Sequence, residues 1–175
     1  MDKFFEKMRK ETNTDTPGFS IWIVLGGLLL WLCGIFCAPL LAASADPLLL
    51  KLSSILYYFY QPTCHQLPDR SFLIDGFALT VCIRCLGIYL GGLAISMVYL
   101  FKPKTNLWPL TVYILLAAPA VLDFLIEKFV VYDPGGNIRF VSGLLLGIAL
   151  FQLLILSLTT LKPVYHKHKT RYQKV

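Results

Sequence analysis

Four side chains that bind soft metals or exchange electrons lie close together in the sequence. Cys64, His65, Cys82 and Cys85 fall within 22 residues. These are the ligands of a tetrahedral Cys3His zinc site, and the two-residue gap between Cys82 and Cys85 lets both sulfurs reach one ion. Because neighbouring side chains diverge in regular structure, loss of Cys64 or His65 would leave an open, three-ligand site. The spacing predicts a site for zinc or another transition metal.

The same cysteines also fit thiol–disulfide exchange. A Cys-x-x-Cys pair at a helix N-terminus has a lowered thiol pKa, and Arg84 between Cys82 and Cys85 would lower it further. Under this alternative the catalytic residues are Cys82, Cys85 and Cys64. The layout resembles the disulfide-forming membrane oxidoreductases, which couple such a motif to a quinone. That family needs a second cysteine pair in its second outer loop, and residues 132–137 contain no cysteine.

A third alternative gives the thiols no chemistry. Cysteine is often a small buried residue, and the chain would then be a structural or partner-binding membrane subunit. We assign no role to Cys33 and Cys37, which lie one helical turn apart. Cys-x-x-Cys alone is a weak pattern, but its closeness in sequence to Cys64-His65 favours a metal or redox site.

Composition places these residues in a membrane protein. Hydrophobic residues make up 57% of the chain and charged residues 15%, and the mean hydropathy is +0.67, which leaves too little polar surface for a soluble globule. At about 20 apolar residues per span, 175 residues hold roughly four helices. The sequence therefore predicts an all-α bundle with four spans, at residues 19–41, 80–101, 107–131 and 138–161.

The remaining segments are short. Residues 19–41 exceed a signal-peptide core and follow several acidic residues, so we expect an uncleaved helix there after an arm at residues 1–18. Asp46 and Pro47 are a good helix start. Residues 47–60 would extend only about 20 Å as a helix, so we expect an interfacial helix that lies along the membrane surface or dips in partway. Residues 162–175 form a basic tail.

The basic residues predict the orientation. Eleven of the 16 Lys and Arg residues lie in the N-terminal arm, the loop at residues 102–106 and the tail. The positive-inside rule then puts both termini in the cytoplasm of the inner membrane. We expect the lipid bilayer as the partner of the basic tail, and no nucleic acid. Small-residue faces at Gly87, Gly91 and Gly92 and at Gly143 and Gly147 allow close helix packing or self-association, as a homo-oligomer or with another membrane subunit.

This topology gathers the polar residues on the extracytoplasmic side. Ionisable groups in a membrane are costly unless they are paired, so we expect Arg84 and Arg139 to face Asp123 and Glu127 across the bundle. The predicted supporting network consists of Arg84, Asp123, Asn137, Arg139 and Ser142. No Ser-His-Asp set, phosphate loop or His-Glu-x-x-His motif indicates a hydrolase or a nucleotide-binding protein.

Two segments resemble the signature of a known family. Residues 64–72 read Cys-His-Gln-Leu-Pro-Asp-Arg-Ser-Phe, and after Gly76 residues 82–91 read Cys-Ile-Arg-Cys-Leu-Gly-Ile-Tyr-Leu-Gly. The pattern resembles a family of small prokaryotic membrane proteins classed as a domain of unknown function, and the likeness covers about residues 50–150. Residues 124–128 lack an expected Gln, and Ser142 stands where Thr is expected. The resemblance implies a shared site without implying an activity, and it leaves open whether the protein is an enzyme.

Overall fold

Helices make up most of the chain. The computed structural model describes residues 14–15, 18–102, 104–105, 107–129 and 135–172. Over these residues there are five α-helices: α1 (Gly18–Ala42), α2 (Pro47–Tyr60), α3 (Ile83–Phe101), α4 (Leu110–Phe129) and α5 (Gly135–Tyr172). All except α2 are long and apolar enough to cross a bilayer. The predicted all-α bundle with four spanning helices and one short helix is confirmed.

Two short antiparallel strand pairs lie outside the helices. Strand β1 (Thr14–Asp15) pairs with β4 (Lys104–Thr105), and β2 (Leu73–Ile74) pairs with β3 (Phe77–Ala78). Asp75 and Gly76 join β2 to β3, both with positive φ, as a two-residue hairpin turn requires. This hairpin keeps the chain extended, so α3 begins at Ile83 and not at the predicted residue 80. Helix α5 continues to Tyr172, through most of the segment predicted as a tail.

Helix α2 packs antiparallel against the end of α1. The Ser53 hydroxyl donates to the Ala38 carbonyl at 2.8 Å, and the Tyr60 hydroxyl donates to the Trp31 carbonyl at 2.8 Å. A Cβ on Gly34 would collide with the Tyr60 hydroxyl, so this glycine makes room for the ring. Because α2 follows the axis of a spanning helix, it brings the next loop back against the bundle.

Helices α3 and α5 lie in direct backbone contact. A Cβ built on Gly87, Gly91, Gly143 or Gly147 would meet a main-chain carbonyl oxygen of the opposite helix. The close approach predicted from the small-residue faces of the two helices is therefore present within one chain. These glycines contact the opposite helix of the same chain, and self-association or binding to another membrane subunit stays a prediction.

Helix α4 is attached to the bundle at both ends. Near its start, the Tyr113 hydroxyl donates to Oε1 of Gln152, which is fully buried in α5. Near its other end, Asp123 and Glu127 pair with arginines of α3 and α5. Much of the α4 surface between these points is apolar and exposed, as suits a helix that faces lipid. The second attachment point forms part of the candidate site.

Candidate metal centre

Three cysteine sulfurs converge at the start of α3. The Sγ atoms of Cys64, Cys82 and Cys85 all lie within 4.8 Å of one another. A tetrahedral zinc ion with Zn–S bonds of about 2.3 Å would hold its sulfurs roughly 3.8 Å apart. A small inward movement of the three side chains would therefore produce the spacing of a metal–thiolate centre.

Local structure positions each of these sulfurs. Cys64 follows the three-residue turn after α2, and its backbone N–H donates to the Tyr60 carbonyl at 3.2 Å. Cys82 is the N-cap residue of α3 and has extended backbone. Cys85 lies in the first turn of that helix, three residues later, so its side chain shares a face with that of Cys82. The Cys82 backbone N–H donates to the Cys64 sulfur at 3.1 Å and joins the two segments.

The surroundings of Cys64 favour a thiolate. Hydrogen bonds from the Cys82 and Cys85 thiols, aided by backbone N–H groups, hold the pKa of the Cys64 thiol well below its ordinary value. The same contact with Cys64 raises the pKa of the Cys82 thiol. Gln66 contributes one of the backbone donors. It has a positive φ of 52°, and its side chain is fixed by a 2.7 Å hydrogen bond to the Tyr57 carbonyl.

Three of the sequence-predicted residues occupy other positions. Among the described residues, the group of converging ligand atoms consists of the three thiols and does not include His65. His65 is exposed at the edge of the same cavity. Asn137 is also exposed. Ser142 is buried, and its hydroxyl donates to the Arg139 carbonyl at 3.1 Å. This hydrogen bond is to the main chain of α5 and not to the Arg139 guanidinium.

A buried ion-pair network lies beside the thiols. Arg84 Nη2 lies 2.5 Å from Asp123 Oδ2 and 3.1 Å from Glu127 Oε2. Arg139 Nη2 lies 3.5 Å from Glu127 Oε1. The structure thus brings together the four charged residues that the sequence placed on one side of the bundle. Asp123 and Arg139 are each only 6% exposed, which is why neither is tolerable without a partner.

Sequence reasoning missed a fifth member of this network. Arg70, in the 3-10 turn Pro68–Arg70, pairs with Oε1 of Glu127. Its side chain is 44% exposed, whereas that of Glu127 is 14% exposed. No partner is predicted for Arg70 from the sequence, because no local pattern shows that residues 61–82 fold back onto α4.

The thiols and the ion pairs line one cavity. Its volume is about 540 Å³, inside the range of roughly 300–1,000 Å³ that is typical of small-molecule sites. All three converging cysteines contribute to its wall, together with Thr63, His65, Gln66, Leu67, Arg70, Arg84, Phe124 and Glu127. The cavity therefore connects a soft ligand set with paired guanidinium and carboxylate groups.

Comparison with known proteins identifies the family. Residues 64–153, which begin at the first converging cysteine and end within α5, match the model of the predicted membrane protein family DUF2085. The chain belongs to this family. It is 32% identical to an uncharacterized protein of Methanocaldococcus jannaschii over an alignment of 133 residues that covers 71% of this chain and 83% of the relative. It is also 32% identical to an uncharacterized protein of Methanothermobacter thermautotrophicus over 88 residues, or 50% and 79% of the two chains.

No solved structure shows a significant match to this chain. The family description and the four candidate spans together make the chain a membrane protein. The matched segment contains the three converging cysteines and all five charged residues of the ion-pair network. The family description and the names of the two relatives state no activity.

Proposed function

We propose that this protein binds a zinc-like transition-metal ion through Cys64, Cys82 and Cys85. The observation that carries this proposal is the convergence of three sulfurs within 4.8 Å from two separate segments of the chain. Soft thiolate ligands select zinc, copper(I) or iron over magnesium and calcium. Three ligands leave the fourth tetrahedral position open, as in zinc sites that bind water or substrate.

The surroundings of the sulfurs support this assignment. The backbone N–H of Cys82 points at the Cys64 sulfur, and outer hydrogen bonds of this kind orient metal ligands and stabilise thiolate charge. Arg84, between the two cysteines of α3, lines the same cavity. It belongs to a network of three arginines and two carboxylates, whose net positive charge offsets the excess negative charge of three thiolates on a divalent ion. Positioning Arg84 is the role that we propose for the Asp123 carboxylate.

The test is metal content and free thiols measured together on protein purified in mild detergent without chelator. We expect about one zinc or iron ion per chain, and its loss in Cys85→Ser. Cys33→Ser is the matched control, because Cys33 lies on α1 and its sulfur contacts that of Cys37 at 3.7 Å. Metal-free protein, or equal metal content in the two variants, would refute the proposal.

A second candidate function is thiol–disulfide exchange. The close approach of the Cys64 sulfur to Cys82, through the same N–H bond, also suits a reactive thiolate beside a partner thiol. Oxidation would join two thiols as a disulfide and release two protons and two electrons, which a membrane quinone would accept as it is reduced to hydroquinone. Metal-free protein with a disulfide between two of the three cysteines, formed faster when a soluble quinone is added, would favour this function over metal binding.

We also propose that the metal site faces the extracytoplasmic side of the inner membrane, with both termini in the cytoplasm. The supporting observation is that most Lys and Arg residues lie in the terminal segments and the loop at residues 102–106. The positive-inside rule places these segments in the cytoplasm. A fluorescent protein that folds only in the cytoplasm, fused after Val175, should fluoresce. The matched alkaline phosphatase fusion, which is active only outside the cytoplasm, should be inactive. The opposite result would place the site in the cytoplasm.

A further inference from the structure

We propose that the cavity beside the three cysteines binds a carboxylic acid, whose carboxylate occupies the open metal position and pairs with Arg70 and Arg84. This inference rests on the proposed metal site and names the class of ligand that it accepts. It concerns the part of the cavity that the three sulfurs do not occupy. Three observations carry it: the placement of the sulfurs, the state of the two arginines, and the size and lining of the cavity.

The first observation is that the open metal position must face this cavity. Cys64, Cys82 and Cys85 all line the cavity wall, so an ion held by the three sulfurs would have its fourth position directed toward the same space. His65 also lines the cavity and is therefore a protein candidate for that position. It is exposed, and it lies outside the converging group among the described residues. An external ligand therefore has access to the ion.

The second observation is that both arginines in the wall can take another acceptor. Glu127 pairs with the guanidinium groups of Arg70, Arg84 and Arg139. If the half-exposed Arg70 side chain moved to another acceptor, Glu127 would still pair with Arg84 and Arg139. The Arg84 side chain lines the cavity and is 21% exposed, so part of it can be reached from the cavity. A carboxylate in the cavity would approach the Arg84 guanidinium from this side and replace Glu127 at Arg70.

The third observation concerns size and lining. The volume of about 540 Å³ is many times the roughly 30 Å³ that one water molecule occupies. Leu67 and Phe124 also line the cavity, and both residues are about half exposed. They provide an apolar border next to the charged groups. A carboxylate with a short apolar chain matches this combination, since its head would pair with the guanidiniums while its chain covers Leu67 and Phe124.

Cobalt substitution tests the inference on the full chain in detergent. Co²⁺ bound by cysteines shows a thiolate-to-metal charge-transfer band, and its d–d bands shift when the fourth ligand changes. We expect acetate to shift the d–d bands saturably while the charge-transfer band stays. Arg70→Gln should raise the acetate dissociation constant about tenfold, because one charge-assisted hydrogen bond is lost. Lys51→Gln removes an exposed cation of α2 outside the cavity and should not change it.

The outcomes separate this inference from the metal site. A missing charge-transfer band would overturn the proposed function and this inference together. A normal charge-transfer band together with d–d bands that shift with neither acetate nor octanoate would overturn this inference alone. Equal weakening of acetate binding by Arg70→Gln and Lys51→Gln would also overturn it. Tighter binding of octanoate, used below its micellar concentration, would support a lipid-derived acid. Equal binding of the two acids would support a small water-soluble one.

Discussion

The contact between α3 and α5 yields the sharpest stability prediction, for the substitution Gly143→Ala. A Cβ at this position would meet the Arg84 carbonyl oxygen and lie 3.0 Å from the Arg84 carbonyl carbon. Carbon atoms in ordinary contact are about 3.5–4.0 Å apart, so the helices must separate by roughly half an ångström or more. Such overpacking typically costs about 1–3 kcal/mol, and alanine's better helix propensity returns at most about 1 kcal/mol. We expect a net loss of about 1–2 kcal/mol.

The matched control for this substitution is Gly27→Ala. Gly27 also lies within a spanning helix, and a Cβ there would find nothing within 4 Å. This variant should be unchanged or more stable by up to about 1 kcal/mol, from helix propensity alone. The free energy of unfolding can be measured by circular dichroism in mixed micelles with increasing dodecyl sulfate. If the two variants agree within about 0.5 kcal/mol, α3 and α5 do not pack through these glycines.

A second measurement on the same pair links packing to the site. Gly143 lies directly against the backbone of Arg84, so separating the helices also moves the residue between the two cysteines of α3. We expect Gly143→Ala to bind cobalt more weakly, with Gly27→Ala equal to wild type. A variant that lost stability while keeping full cobalt affinity would show that the position of α3 relative to α5 does not control the thiol site.

Three further predictions use matched pairs or metal removal. Asp123→Asn removes a buried partner of Arg84 and should lower the free energy of unfolding by about 3 kcal/mol. This is the lower end of the range for broken buried ion pairs, because Glu127 still pairs with Arg84. In the same unfolding assay, the control Asp69→Asn, at an exposed position, should change stability little. Tyr60→Phe loses a buried hydrogen bond and should cost about 1 kcal/mol, whereas exposed Tyr58→Phe should be neutral. Stripping metal with a strong chelator should lower the thermal unfolding midpoint, and adding zinc should restore it; an unchanged midpoint would exclude tight binding to the folded state.

Local signals in the sequence were sufficient for much of the fold. Four apolar runs predicted the four spanning helices, and Asp46-Pro47 predicted the start of α2, where Asp46 accepts a hydrogen bond from the Leu48 N–H. The hairpin at residues 73–78 also had a signal, since Asp75-Gly76 is a typical two-residue turn. It was missed because each strand is only two residues long, which is too short to show an alternating pattern.

The candidate site needed tertiary information. The spacing of Cys82 and Cys85 predicts two sulfurs on one helical face, and the cost of charge in a membrane predicts partners for Asp123 and Arg139. Neither argument fixes where residues 61–72 fold. That segment decides that Cys64 joins the converging sulfurs while His65 stays exposed at the edge of the cavity, and that Arg70 reaches Glu127. These contacts depend on the antiparallel packing of α2 on α1, which composition and spacing do not specify.

One helix start couples the two halves of the site. Cys82, Arg84 and Cys85 occupy a single turn at the beginning of α3, so the rotation of this helix determines both where the sulfurs point and where the guanidinium lies. The glycine contacts with α5 fix that rotation, and the pairing of Arg84 with Asp123 and Glu127 ties the same turn to α4. A ligand that changed the pairing of Arg84 would therefore act on the residue between the two cysteines. Metal affinity and ligand binding should consequently be linked, each changing the other by the same factor.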